Sequence, residues 1–262
     1  MFKVLLLSTF ILHVRSECWW SGCQPSTWGQ RGCYPADTWE EKGSQPDSSC
    51  TGGMKYYCCR KGSSYITIDE FKRTATANGY PAPRDAQYNA MCSQIGIGSI
   101  GTKQELAMFI AHVVHETGGY QFKEELICLK QDCREVYDHS VGIPGKSYHG
   151  RGYLQLSHSY NYKPASEALF PNDPNKLINN PELVASDENI AWSTAFWFWR
   201  DRVRNKPNVL QFWFGSSTRA INGGIECDGW NKDAARKRFT FYKVILNEFR
   251  ISAAAIENGC YN

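Results

Sequence analysis

Two glutamates carry the first chemical signal in this chain. Glu116 ends the run Ala111-His-Val-Val-His-Glu116, and Glu125 follows nine residues later, after Thr117-Gly-Gly-Tyr-Gln-Phe-Lys-Glu124. A carboxylic acid held protonated near neutral pH can serve as a general acid, and an ionised carboxylate facing it across a cleft can activate water. That pairing hydrolyses glycosidic bonds, with the carboxyls roughly 6.5–9.5 Å apart when the reaction inverts the anomeric centre. A solvated glutamate at a helix end, followed by a charged loop, would leave the same local sequence. The pair therefore needs support from the rest of the chain.

The elements that must hold it are helical. Thr102-Lys-Gln-Glu105 has the form of a capping box, and Leu106, Phe109, Ile110, Val113 and Val114 recur at helical spacing. Gly118-Gly119 stops the pattern, so a helix is expected from about 103 to 117. Glu116 then sits in the last turn, beside the apolar stripe and at the negative end of the helix dipole, where the protonated form is favoured. A second capping box, Thr67-Ile-Asp-Glu70, starts a helix ending near Asn78-Gly79, and another covers Arg84 to about Ser93. Ser186 is expected to cap a helix from Asp187 to Arg202, whose Trp192, Phe196, Trp197 and Trp199 read as core. A further helix-favouring stretch runs from Asp233 to Phe249. Alternating strand patterns are scarce, so the fold class is mainly α.

Four more segments hold groups that could surround the glutamates. Tyr148-His-Gly-Arg-Gly-Tyr-Leu-Gln-Leu-Ser157 offers close backbone approach at its glycines and neutral hydrogen bonds at Gln155 and Ser157. His158-Ser-Tyr-Asn161-Tyr162 adds an Asn that, with a Ser, could hold a water beside a carboxylate. Ile221-Asn-Gly-Gly-Ile-Glu226-Cys227 adds a third carboxylate, and Ala235-Arg-Lys-Arg238-Phe-Thr-Phe-Tyr242 places Arg238 in a helical, aromatic setting. His112-Val-Val-His115-Glu116 lacks the His-Glu-x-x-His spacing of zinc proteases. No metal site and no cofactor is expected.

The 262 residues suffice for one sizeable core and a small extra module. Met-Phe-Lys, the apolar run Val4–Val14 and the small-residue site at Ser16 read as a secretory signal peptide, residues 1–16. No run is long enough to span a bilayer, so a secreted, extracellular protein with no membrane contact after signal cleavage is expected. Eleven cysteines suit that oxidising compartment. Six of them crowd residues 17–60, which hold too few aliphatic residues for a conventional core and form a disulfide-stapled module. Its Trp19, Trp20, Trp28, Tyr34, Trp39, Tyr56 and Tyr57 are either a polysaccharide-binding face or a miniature core. Lys61-Gly-Ser-Ser64 is a short hinge before the catalytic domain at 65–262. The net charge of +3, without a lysine or arginine run, gives no reason to expect a nucleic-acid partner.

Taken in order, His115-Glu116-Thr-Gly-Gly119, Gly150-Arg-Gly152, Gln155-Leu-Ser-His-Ser-Tyr-Asn-Tyr162, Ile221-Asn-Gly-Gly-Ile-Glu-Cys227 and Arg238 before Phe241-Tyr242 resemble the family 19 glycoside hydrolases, the chitinases of short-loop type. The resemblance covers residues 65–262 and implies a lysozyme-like, α-rich catalytic domain. It implies a monomeric endochitinase acting on chitin or chitooligosaccharides by single-step inversion. In that scheme Glu116 is the general acid, Glu125 the general base, and Ser157 and Asn161 place the water. Glu226 and Arg238 form a charge relay behind Glu116, and His115, Gln155, Tyr160 and Asn222 contact the sugar. The family pattern also pairs Cys227 with Cys260. One pair is expected among Cys92, Cys128 and Cys133. The chain departs from the family at His-Glu-Thr-Gly-Gly, which has one Thr where many relatives have two, and at Tyr153-Leu154, where Pro-Ile is usual. The alternatives are a catalytically weak chitin-binding lectin and a peptidoglycan hydrolase.

Overall fold

The computed structural model describes residues 18–34, 39–60, 65–137 and 140–262. The expected signal peptide and the hinge at 61–64 lie outside these. The described residues fall into two compact units, divided between Ser63 and Ser64.

The first unit is a three-stranded antiparallel sheet of β1 (Cys18–Trp20), β2 (Trp39–Pro46) and β3 (Met54–Arg60), in the order β1-β3-β2. A bulge between Glu41 and Gly43 interrupts the β2–β3 register. Three strands this short cannot bury enough apolar surface to hold themselves, and disulfides Cys23–Cys50 and Cys33–Cys58 fasten the loops to β3 and to each other. Gln24 closes the interior by exchanging two hydrogen bonds with the backbone of Gly32. Trp28 and Tyr34 stay exposed, at 55% and 45% of their surface.

The second unit is helical. Its helices are α1 (Ile68–Thr76), α2 (Asp85–Gln94), α3 (Lys103–Glu116), α4 (Ser159–Leu169), α5 (Lys176–Asn179), α6 (Leu183–Ser186), α7 (Glu188–Phe198), α8 (Phe214–Glu226) and α9 (Lys232–Glu248). The mainly α reading therefore holds, with a small disulfide-stapled unit at the N-terminal side. Helix α3 runs through the centre: every residue from Glu105 to Val114 is buried, and α1, α8 and α9 pack around it. On another side Phe109 stacks on Phe196 of α7 at 4.6 Å. The tryptophans of that stretch, Trp192, Trp197 and Trp199, are fully buried as expected. A second cluster gathers Tyr148, Leu156, Tyr162, Leu177, Val184 and Trp197 around α4 to α7.

Four local expectations change. Thr102 does cap α3, accepting from the Glu105 N–H at 3.0 Å, but the Glu105 side chain does not complete the box. It is buried and instead accepts from Gly101 N–H, Trp199 Nε1 and Arg204 Nε. Oε1 goes to the distant donors Trp199 and Arg204 and Oε2 to Gly101, one residue before the cap, because a buried carboxylate needs its lone pairs filled. Asp187, not Ser186, caps α7, accepting from Ile190 N–H at 3.0 Å. The α-helix stops at Phe198 and widens into a π-helical turn over Trp199–Val203. Helices α4 and α8 were not anticipated: α4 contains Pro164, and α8 contains Gly215, Gly223 and Gly224, all poor helix formers that packing overrides.

Candidate active site

Glu116 is the last residue of α3. Thr117 folds back to donate to the Val113 carbonyl and accepts from Tyr120 N–H, while Gly119 N–H reaches the Val114 carbonyl at 2.9 Å. Gly119 has φ +70°, and a Cβ there would come within 2.4 Å of Tyr80, so only glycine allows this reversal. The chain then runs alongside 150–152. Gly152 N–H donates to the Lys123 carbonyl at 2.8 Å, and Glu125 N–H to the Gly150 carbonyl at 3.0 Å. Arg151 also pairs with Leu156 in both directions. This short irregular ladder brings Glu125, Gly150 and Gln155 together.

Glu116, Glu125, Gln155, Ser157, Tyr160, Asn161 and Asn222 all line one cleft of about 800 Å³. Seven of the residues singled out by sequence thus converge there from α3, α4, α8 and two loops. Behind Glu116, Arg238 of α9 donates through Nη2 to Glu116 Oε1 at 2.5 Å and to Glu226 Oε1 at 2.7 Å, and through Nε to Glu226 Oε2 at 2.7 Å. Arg238 and Glu226 are almost wholly buried. Burial opposes the guanidinium charge, but Glu116 and Glu226 outweigh it and hold the Arg238 pKa above its ordinary value. Asn222 sits at a kink in α8 with non-helical backbone, and its Nδ2 donates to Glu226 Oε1 at 2.8 Å. Asn222 thus lines the cleft while bonding the buried carboxylate.

The two neighbouring glutamates differ in their partners. Glu124 accepts from His149 Nε2 at 2.8 Å and Arg151 Nε at 3.0 Å. Burial raises its pKa, but the His149 bond and Arg151 prevail and leave it below the ordinary carboxylate range. The Glu125 carboxylate instead meets the Tyr137 hydroxyl and the Gly150 N–H. Asn161 Nδ2 donates to the Ser157 carbonyl at 3.0 Å, and Tyr160 stacks on His158 at 5.0 Å.

His115 is placed differently. It lies outside the residues that line the cleft, packs against the Phe241 ring, and its buried Nδ1 has no hydrogen-bond partner among the described residues. Burial, then Arg238 and Lys237, lower its pKa to about 3. The cleft also includes Phe122, Leu126, Tyr137 and Phe198, together with His158, Ile221 and Ile225 from the segments named above, none of which the sequence assigns a role. No spacing singles out Phe122, Leu126, Tyr137 or Phe198. Two further disulfides brace the surroundings: Cys128–Cys133 closes the loop after Glu125, and Cys227–Cys260 secures the end of α8, as the family pattern implied.

The family model described as chitinase class I matches residues 72–218. Endochitinase EP3 of Arabidopsis thaliana is 38% identical over 164 residues, which cover 61% of this chain and 58% of the relative. The chain thus spans less than two thirds of that relative's length. Chitinase 3 of Oryza sativa subsp. japonica is 32% identical over 237 residues, covering 78% and 68%. Among solved structures, a class IV chitinase from Zea mays superposes with TM-score 0.56 at 29% identity, over 75% of this chain and 96% of that one. Chitinase C from Streptomyces griseus gives TM-score 0.57 at 26% identity, over 72% and 95%. With that family model matching more than half of its length, this chain belongs to the chitinase class I family, the family 19 glycoside hydrolases.

Proposed function

We propose that the protein is a secreted, monomeric endochitinase that hydrolyses β-1,4 links between N-acetylglucosamine units of chitin with inversion. The observation that carries this reading is that Glu116 and Glu125 line the same cleft while differing in chemical setting. Glu116 is the acid that protonates the glycosidic oxygen. Arg238 donates to Glu116, and Glu226 takes two hydrogen bonds from the same guanidinium and shares its charge. Glu116 can then hold a proton without leaving Arg238 unpaired. Glu125 is the base, because Glu124 is already engaged by His149 and Arg151. Ser157 and Asn161 position the water, and Gln155, Tyr160 and Asn222 bind the sugar. His115, packed on Phe241, orients the end of α3 rather than touching substrate.

The N-terminal unit is proposed as an accessory chitin-binding module, supported by the exposed rings of Trp28 and Tyr34. Sugar faces stack on such rings, and the disulfides hold the loops that carry them.

Hydrolysis of N-acetylglucosamine hexamer followed within minutes by proton NMR tests the reading. Initial release of the α-anomer is expected. Initial β-anomer would mean retention and would overturn the assignment of Glu125 as base, since retention requires carboxyls only about 5–5.5 Å apart. Absence of cleavage with binding intact would favour a lectin.

A further inference from the structure

Tyr137 belongs to none of the segments that carry the family likeness, yet its hydroxyl donates to Glu125 Oε2. The Gly150 N–H approaches the same oxygen at 3.4 Å. Both donors engage Oε2, which leaves Oε1 as the oxygen able to accept a proton. The backbone is fixed too, through the Glu125 N–H to the Gly150 carbonyl. The Tyr137 ring is itself wedged: its edge meets His158 at 5.1 Å and 62°, and His158 stacks on Tyr160. All three rings line the cleft.

We propose that Tyr137 is a positioning residue for the general base, holding the Glu125 carboxylate by Oε2 so that Oε1 meets the attacking water. The role rests on the chitin-hydrolysis reading above. A glutamate carboxylate is otherwise free to turn about its terminal torsion, which is broad and roughly two-fold, and both oxygens would then compete for the water. A base must lie within hydrogen-bond reach of the proton it removes, and small misplacements are costly to rate. Burial first, then the bond to Glu125 and its charge, hold the Tyr137 hydroxyl well above the ordinary tyrosine range, so it remains a donor wherever the carboxylate is ionised.

Two variants assayed on N-acetylglucosamine hexamer separate this role from ring packing. Tyr137→Phe keeps the ring against His158 and removes only the hydroxyl. It is expected to lower kcat by roughly 10- to 100-fold while KM stays within about two-fold, because the lost interaction serves the transition state and not substrate binding. Tyr137→Ala is expected to lower kcat at least as far. If Tyr137→Phe matches the wild type and only Tyr137→Ala is impaired, the residue is packing alone and the proposal fails. A rise in KM with unchanged kcat in Tyr137→Phe would reassign it to substrate binding and equally overturn it. A wild-type protein that binds but does not cleave hexamer would remove the hydrolase reading itself, and this role with it.

Discussion

Arg238 Nη2 lies 2.5 Å from Glu116 Oε1, joining the end of α3 to a guanidinium in α9 that is 122 residues further along the chain. The apolar setting expected for Glu116 is therefore incomplete. One carboxylate oxygen faces a buried cation, and the same guanidinium donates to Glu226 through Nη2 and Nε. In the proposed mechanism, acid behaviour at Glu116 depends on all three groups.

Replacing Glu116 with Gln keeps the size of the side chain and a polar group beside Arg238, but removes the transferable proton. Turnover of hexamer is expected to fall by about 10²–10⁴-fold or more, the range in which general acids contribute. Calorimetric titration should still detect hexamer binding. Rates near wild type would show that another group is the acid.

Arg238→Leu leaves Glu226 and Glu116 without their counter-ion. Only 2% of Glu226 is exposed, so water cannot replace the guanidinium. Breaking a buried pair from one side costs about 3–5 kcal/mol. The melting temperature is expected to drop on the order of 10 °C for a domain of this size. Arg238→Leu combined with Glu226→Leu should regain part of that loss, while remaining inactive. A melting temperature unchanged in the single variant would contradict the buried relay.

Stability should decline with acid in a window set by two histidines. His112 is fully buried between Ser217 and Arg238, and burial, then Arg238 and His115, hold its pKa well below 6.5. His115 is lowered to about 3. The unfolded chain protonates both near pH 6.5, while the folded one does not until far lower. The unfolded state thus binds more protons, so stability is complete above about 6.5 and falls as pH drops toward about 3. Urea midpoints taken between these limits measure the slope. His115→Leu should flatten it, and an equal slope in that variant would count against the assignment.

Cys227 and Cys260 close a loop with a sequence separation of 33. Cys227 directly follows Glu226, and Arg219 donates to the Cys260 carbonyl at 2.5 Å, so the bridge secures the end of α8 where Glu226 meets Arg238. Replacing both with Ser is expected to cost about 2–4 kcal/mol. Thermal melts with and without reductant check this. The double variant should be less stable than the wild type in the absence of reductant.

Legibility varied with the range of the interaction that decides each feature. The box Thr67–Glu70 closes as expected because both hydrogen bonds lie within one helical turn. The similar motif at Thr102 closes only halfway, since Glu105 is claimed by Trp199 and Arg204, more than ninety residues away. Helices α4 and α8 were hidden by their proline and glycines, whose weak propensity is overcome by burial of Tyr162, Phe214 and Thr218. Tyr137 gave no signal, because a single tyrosine in an irregular loop has no period to betray its partner.

By itself, the sequence determined the helical class, the disulfide-rich N-terminal unit, the family and the roster of polar groups. Composition, periodicity and ordered short motifs are local properties that survive without coordinates. Tertiary structure decided which groups meet. It gave Glu124 to His149 and Arg151, gave Glu125 to Tyr137, set Arg238 between two carboxylates, and turned His115 onto Phe241. Neighbouring residues in a chain share a backbone and not an environment. Their chemistry depends on burial and charged partners brought from distant elements, and only packing fixes those.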